Sequence, residues 1–192
     1  MVLKTRAMSR SLTPEKALIF RITHVNNVRW ILENGLHPQN SETRDPNFVT
    51  IGNQELIDKR RDRQVPIEPG GSLSDYVPFY FTPFSPMLLN IKTGYGGITR
   101  RANAEIAILV GSLNDLNDSQ IRFVFTDRHA YLELAEFYAS LDDLHHIDWQ
   151  ILRDRDFKRD ESDPEKMERY QAEALVYNHL PANALRGLVC YT

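Results

Sequence analysis

Strand-forming runs are scattered along this chain in a way that few architectures accommodate. Residues 17–23 (ALIFRIT), 76–81 (YVPFYF), 104–110 (AEIAILV), 121–125, 173–177 (EALVY) and 188–191 are rich in β-branched, aromatic and aliphatic residues. They fall at the start, middle and end, without regular alternation with helices. That excludes a doubly wound parallel sheet and predicts an α+β fold with a mixed central sheet and flanking helices. The run 17–23 is apolar at consecutive positions, as a strand covered on both faces would be. Pro78 inside 76–81 cannot donate to a ladder and predicts an edge or a bulge.

Between these runs the pattern changes. Val25, Val28, Ile31 and Leu32 share one face of a helix that Gly35 can stop, and residues 54–63 and 85–91 read as short helices. Residues 129–140 and 141–152 also read as helices. Residues 37–48 and 157–165 read as polar loops, and the glycines at 94, 96 and 97 open another. Residues 1–16 are polar and predict a flexible leading arm, followed by a single domain over 17–192.

The chain has 192 residues, enough to bury a core without disulfides, and its one cysteine, Cys190, excludes an intramolecular bridge or a multi-cysteine zinc site. No apolar run approaches a membrane span, and the first sixteen residues hold no secretory h-region, so a cytoplasmic protein is expected. Lys and Arg number 23 against 26 Asp and Glu, a net charge of -3, which argues against a protein coated in basic charge. The charge is uneven: Lys59, Arg60, Arg61 and Arg63 cluster, while the late part is acidic. No glycine-rich nucleotide fingerprint follows a strand, and no metal-ligand spacing occurs; His145 and His146 are adjacent, a spacing that parts side chains on a helix. No metal is expected.

Five segments carry more specific patterns: Ile22-Thr23-His24 at a strand end; the basic cluster 59–63; the block from Val65 to Met87; Phe125-Thr126-Asp127-Arg128-His129; and Gln171-Ala172-Glu173-Ala174-Leu175-Val176-Tyr177. Taken singly, each has a bland account. His24 can cap or fill the core, Arg61 can be a surface arginine, the aromatics of 76–84 can be core, and Asp127 can cap a helix. Glu173 is harder to dismiss. In an apolar run a carboxylate either sits on the exposed face of an alternating strand or works in a cleft.

In this order the five segments resemble the DarT toxins, DNA ADP-ribosyltransferases of toxin–antitoxin pairs, from about Ile19 to Tyr191. The resemblance implies an ADP-ribosyltransferase (PARP-like) fold, NAD+ as co-substrate and a base of single-stranded DNA, thymine or guanine, as acceptor. It implies Glu173 and Arg61 as catalytic residues, and Thr23, His24, Tyr80 and Ser85 around NAD+ together with Arg21. It implies Arg60, Arg63, Arg128 and His129 on the substrate, with Arg100 and Arg101 as further cations for the strand, and a macrodomain-type antitoxin as partner. Where the family pattern has histidine two residues before the threonine of Ile-Thr-His, this chain has Arg21, which bears on the NAD+ pose and on the base modified. Transfer to RNA or protein, or an inactive DNA-binding module, are the competing readings.

Overall fold

The structure is a computed structural model that describes residues 9–190. Part of the leading arm (residues 1–8) and the last residue of the closing strand, Tyr191, lie outside the described residues. Seven strands form one sheet: β1 (Leu18–His24), β2 (Tyr76–Tyr80), β3 (Ile106–Ser112), β4 (Phe123–Thr126), β5 (Phe137–Tyr138), β6 (Glu173–Tyr177) and β7 (Gly187–Cys190), in the order β5-β4-β6-β2-β1-β3-β7. The fold is α+β, as expected, but every pairing is antiparallel, so the sheet is not mixed in direction. Six short α-helices that lie wholly among the described residues flank it: α1 (Val28–Asn34), α2 (Gln54–Arg60), α3 (Pro86–Thr93), α4 (Leu113–Asp118), α5 (Trp149–Asp154) and α6 (Lys166–Arg169).

The core sits on both faces of the middle strands. Six of the seven residues of β3 and all but the last of β6 are buried, which is why these runs show no alternation. Phe81 packs edge-on against Phe125 and Trp149, with ring centroids 6.1 and 5.5 Å away. Helix ends follow local chemistry. Ser85 Oγ accepts from Leu88 N at the start of α3, and Asn53 Oδ1 accepts from Leu56 N at the start of α2. Gly35 ends α1 at φ 82°, and a Cβ there would collide with the His179 ring and Leu180 O.

Four further expectations are corrected. Residues 129–140 form no helix; they turn back through a loop into β5, and Ala130 and Ala135 are buried because that loop packs on the sheet. Residues 141–152 split into a 3-10 turn, Leu141–His146, and α5. In that turn the His145 and His146 rings do not part: they lie 4.1 Å apart, and His146 stacks on Tyr138 at 4.4 Å. The described end of the leading arm is docked: Leu12 is fully buried, Arg155 Nε donates to Ser9 Oγ at 2.8 Å, and Ser112 Oγ donates to Lys16 O at 2.9 Å.

The join between β1 and β2 positions everything that follows. β1 pairs with β3 over all seven of its residues, and β2 pairs with β6 over all five, but β1 and β2 share a single register pair, Phe20 with Tyr80. Pro78 accounts for the parting. A strand residue directs its N–H and C=O to the same side, and the Pro78 carbonyl faces β1, where it accepts from Arg21 Nη1 at 2.8 Å. The missing N–H therefore falls on the β1 side, and the ladder cannot run past it. Pro78 sits in an interior strand, at the place where the sheet opens.

Candidate active site

The opening between β1 and β2 is a cleft of about 450 Å³, lined by Arg21, Thr23, Pro78, Tyr80, Arg60 and Glu173 among others. Its roof is the stretch 37–53, which has neither helix nor strand. Buried Asn27 pins that roof: its Oδ1 accepts from Val49 N at 2.8 Å, and its Nδ2 donates to Val49 O at 2.9 Å and Thr23 Oγ1 at 3.1 Å. The sequence reading missed Asn27 and gave 37–48 no role. The available signal was length, since loops beyond about 12–15 residues without secondary structure are uncommon and usually functional.

Glu173 opens β6 directly across from Tyr80, and only 1% of its side-chain surface is exposed. Arg60, at the C-terminal end of α2, grips it with two parallel bonds, Nη1 to Oε1 and Nη2 to Oε2, each 2.7 Å. Ala130 N donates to Oε1 at 3.2 Å, and Glu173's own N–H donates to Thr126 Oγ1 at 3.3 Å. Burial alone would push this carboxyl up. The Arg60 charge, with His129 and the hydrogen bonds from Arg60 and Ala130, outweighs burial and holds it below the usual carboxylate range. Arg60 likewise stays charged against burial because Glu173 faces it. Burial raises the Tyr80 phenol, which keeps its proton. The site is therefore a buried carboxylate kept anionic at the edge of a cleft, beside two arginines and a neutral phenol.

His129 meets the same carboxylate, Nδ1 to Oε1 at 3.2 Å, and its Nδ1 also accepts from Tyr131 N at 3.2 Å. Burial depresses its pKa, with Arg60 adding to that and Glu173 opposing it. The contact with Glu173 is an ion pair only in the protonated ring, which burial disfavours. A linkage follows. A histidine whose folded pKa is depressed contributes stability present above its unfolded pKa, about 6.5, and lost as pH falls through the folded value. Glu173 has the same sign at lower pH. We expect a melting temperature that holds from pH 8 to 7 and declines below about 6.5, with the upper part of the decline flattened in His129→Gln. An unchanged profile in that variant would remove His129 from the account.

The remaining candidates separate. Arg21 lies in the cleft wall with its Nε buried and without a hydrogen-bond partner, and burial, then Arg60, lowers its pKa to about 10. Thr23 is buried in the wall, held by Asn27. His24 does not join Glu173. It stands four residues beyond Phe20 along β1, about 13 Å of strand, accepts from Asn26 N at 3.1 Å and approaches Glu105 Oε1 at 3.6 Å. Ser85 is spent on its helix cap. Arg61 points outward, more than half exposed, and pairs with Asp58. Arg63 Nη2 donates to Leu132 O at 3.1 Å. Arg128 is surrounded by Asp127, Glu165 and Glu168 within 3.7 Å. Arg101 pairs with Glu105, and with Arg100 and Lys92 it lines a separate basic hollow. Among the described residues, no group of three or more His, Cys, Asp and Glu side chains is placed to hold a metal ion.

The family profile described as "ssDNA thymidine ADP-ribosyltransferase, DarT" matches residues 20–192. The chain belongs to the DarT family. It is 56% identical over 184 residues, 96% of its length and 84% of the relative's, to the DNA ADP-ribosyl transferase of Escherichia coli O127:H6 (strain E2348/69 / EPEC). Among solved structures it is similar to Thermus sp. 2.9 DarT in complex with ADP-ribosylated ssDNA, at TM-score 0.84 and 34% identity, covering 93% of this chain and 83% of that one. It is also similar to the same Thermus protein in complex with NAD+, at TM-score 0.75 and 34% identity, covering 93% and 84%. The fold is that of the DarT ADP-ribosyltransferases. No described helix is long and apolar enough to cross a membrane.

Proposed function

We propose that this chain transfers ADP-ribose from NAD+ to a base of single-stranded DNA, with Glu173 and Arg60 at the centre of the reaction. The observation that carries this reading is the buried, anionic Glu173 beside a cleft opened inside the sheet. Transfer breaks the bond between ribose C1″ and nicotinamide, the electron pair leaves with nicotinamide, and positive charge builds on the ribose. A fixed carboxylate stabilises that charge without reorganising. Arg60 keeps Glu173 charged where burial would neutralise it. Tyr80, directly across from Glu173, offers an aromatic wall and a phenol, and Arg21 offers an unfilled N–H to the phosphates or the ribose. An antitoxin of the macrodomain type, which would reverse or block the modification, is the partner that membership of the family suggests, and the cytoplasm is where NAD+ and the DNA would meet it.

Thymine is the acceptor that the family's description favours. Guanine is the second reading, favoured by Arg21, which stands where the family pattern has histidine. The test offers NAD+ with each of four homopolymeric single-stranded oligonucleotides and weighs the products. An ADP-ribose adduct on one of them supports the reading, and its identity fixes the base. No adduct on any, with NAD+ intact, sinks it. The single-strand requirement has its own test. A paired base must leave the stack to reach C1″, at a cost of a few kcal/mol. Transfer to a blunt duplex is expected to be at least about tenfold slower than to its single strand, and equal rates would refute the requirement.

A further inference from the structure

Arg63 belongs to the basic cluster, yet its side chain makes contacts that a nucleic-acid ligand would not make. Its Nη2 donates to Leu132 O at 3.1 Å and lies 3.5 Å from Glu133 O, while its backbone is fixed on both sides, its N–H to Arg60 O at 3.2 Å and its C=O accepting from Leu73 N at 2.8 Å. Arg60 and Arg63 are thus two guanidinium groups from one short stretch that diverge. Arg60 takes Glu173, and Arg63 takes the crest of the loop that follows β4.

That loop also serves Glu173. It supplies the Ala130 N–H and the His129 ring at 3.2 Å each. Its base is held by Asp127, whose Oδ1 accepts from Glu136 N at 3.0 Å and whose Oδ2 accepts from Arg128, and by Thr126, whose Oγ1 donates to Arg128 O at 2.6 Å. Its crest turns through Leu132 N to His129 O at 3.0 Å and Ala135 N to Leu132 O at 3.1 Å, and Arg63 meets it there from the α2 side. A small apolar cluster containing Val65, Leu73 and Ala130 backs the contact. Arg63 Nε is buried with no hydrogen-bond partner, and an unpaired buried donor works against stability.

We propose that Arg63 is a positioning residue for transfer: it clamps the end of α2 to the loop after β4, so that Arg60 and the Ala130 N–H hold one geometry about Glu173. The inference rests on Glu173 and Arg60 being the reacting pair. Arg63 touches neither NAD+ nor DNA in this role and acts through the carboxylate. Its loss loosens the Ala130 N–H bond and the register of the loop against α2, and displacements of about 1 Å at a reacting centre cost up to about a hundredfold in rate.

The experiment compares full-length wild type, Arg63→Ala and Arg63→Lys, each with its melting curve. The first readout is hydrogen–deuterium exchange of the peptide spanning residues 127–136, without any substrate. Arg63→Ala is expected to speed exchange in that peptide while the peptides of β1 and β3 keep the wild-type rate. The second is kinetics: kcat falls about tenfold to a hundredfold, KM for the oligonucleotide stays within about twofold, and the dependence of KM on salt keeps its slope. Arg63→Lys, with a single ammonium able to reach one carbonyl, recovers most of kcat. A phosphate contact gives the opposite pattern, with KM raised, kcat kept and the salt slope reduced by about one, and that result overturns the proposal. Unaltered exchange in 127–136 overturns it as well, even if activity falls. Should Arg63→Ala fail to fold, Arg63→Gln takes its place with the same expected exchange and kinetics, and wild-type values of both in that variant overturn the proposal. Failure of the wild type to transfer ADP-ribose would instead strike the reading of Glu173, and the exchange result would stand separately.

Discussion

Glu173→Gln is expected to fold and to lose transfer by about 10²–10³-fold, the range for removing one fixed group that answers charge developing in a transition state. The amide keeps the volume of the side chain and its oxygen can still accept from Arg60 or from Ala130 N, while the negative charge and the second acceptor of the Arg60 fork are lost. Because the charge acts mainly on the developing oxocarbenium, turnover falls while the dissociation constant for NAD+ changes little. Single-turnover transfer and calorimetric titration with NAD+ check both halves. Near-native turnover in Glu173→Gln would remove Glu173 from the reaction. Glu173→Ala is the poorer probe. It strands the Arg60 guanidinium, only 14% exposed, and breaking a buried pair by deleting one partner costs about 3–5 kcal/mol. Its activity loss would mix chemistry with unfolding, so its melting temperature is expected to drop well below that of Glu173→Gln.

The strands were legible because their composition and their burial agree. The apolar runs at 17–23, 76–81, 104–110 and 173–177 coincide with β1, β2, β3 and β6 to within two residues. The loop 129–136 was misread because a loop that packs on a sheet buries Ala130 and Ala135 and leaves Leu134 outside, a pattern that helix periodicity can mimic. The site divides in the same way. Glu173 stands out as a carboxylate in an apolar run, and that anomaly is visible in sequence. Arg60 and Arg61 are not separable there: consecutive residues on a helix point about 100° apart, and the direction that meets Glu173 depends on how α2 docks. Nor could Arg63 and Arg128 be told from DNA-binding arginines. Their acceptors are the carbonyls of residues 132 and 133 and the carboxylates of Asp127, Glu165 and Glu168, four of which lie at least 37 residues along the chain from the arginine they meet. Pro78 predicted an edge or a bulge, but β2 is an interior strand in continuous register with β6, and the pairing that falls short is the one with β1.

Arg60→Met is expected to abolish most transfer, by about 10²–10³-fold at pH 7, while Arg61→Ala stays within about threefold of wild type. The difference follows from where the two guanidinium groups end. Arg61 is exposed and pairs with Asp58 on its own helix, and an exposed pair of this kind contributes little. Arg60 holds both oxygens of a carboxylate that is otherwise cut off from water. Methionine fills the space of the stem and removes the charge, which leaves burial as the dominant influence on Glu173. Its pKa then rises above the ordinary carboxylate range, where in the wild type it lies below. The carboxyl takes up a proton instead of remaining as an uncompensated buried anion. The loss of activity is therefore conditional on pH, which separates it from a loss of binding. In the wild type the acidic limb of the kcat profile lies below the ordinary carboxylate range. In Arg60→Met it moves upward, so that part of the missing turnover returns as pH is raised toward 9 and Glu173 ionises again. Pre-steady-state rates from pH 6 to 9 for both proteins measure the shift. A uniform depression of the Arg60→Met rate at every pH would show that Arg60 does not act through the charge of Glu173, and an Arg61→Ala protein as impaired as Arg60→Met would return the catalytic assignment to Arg61.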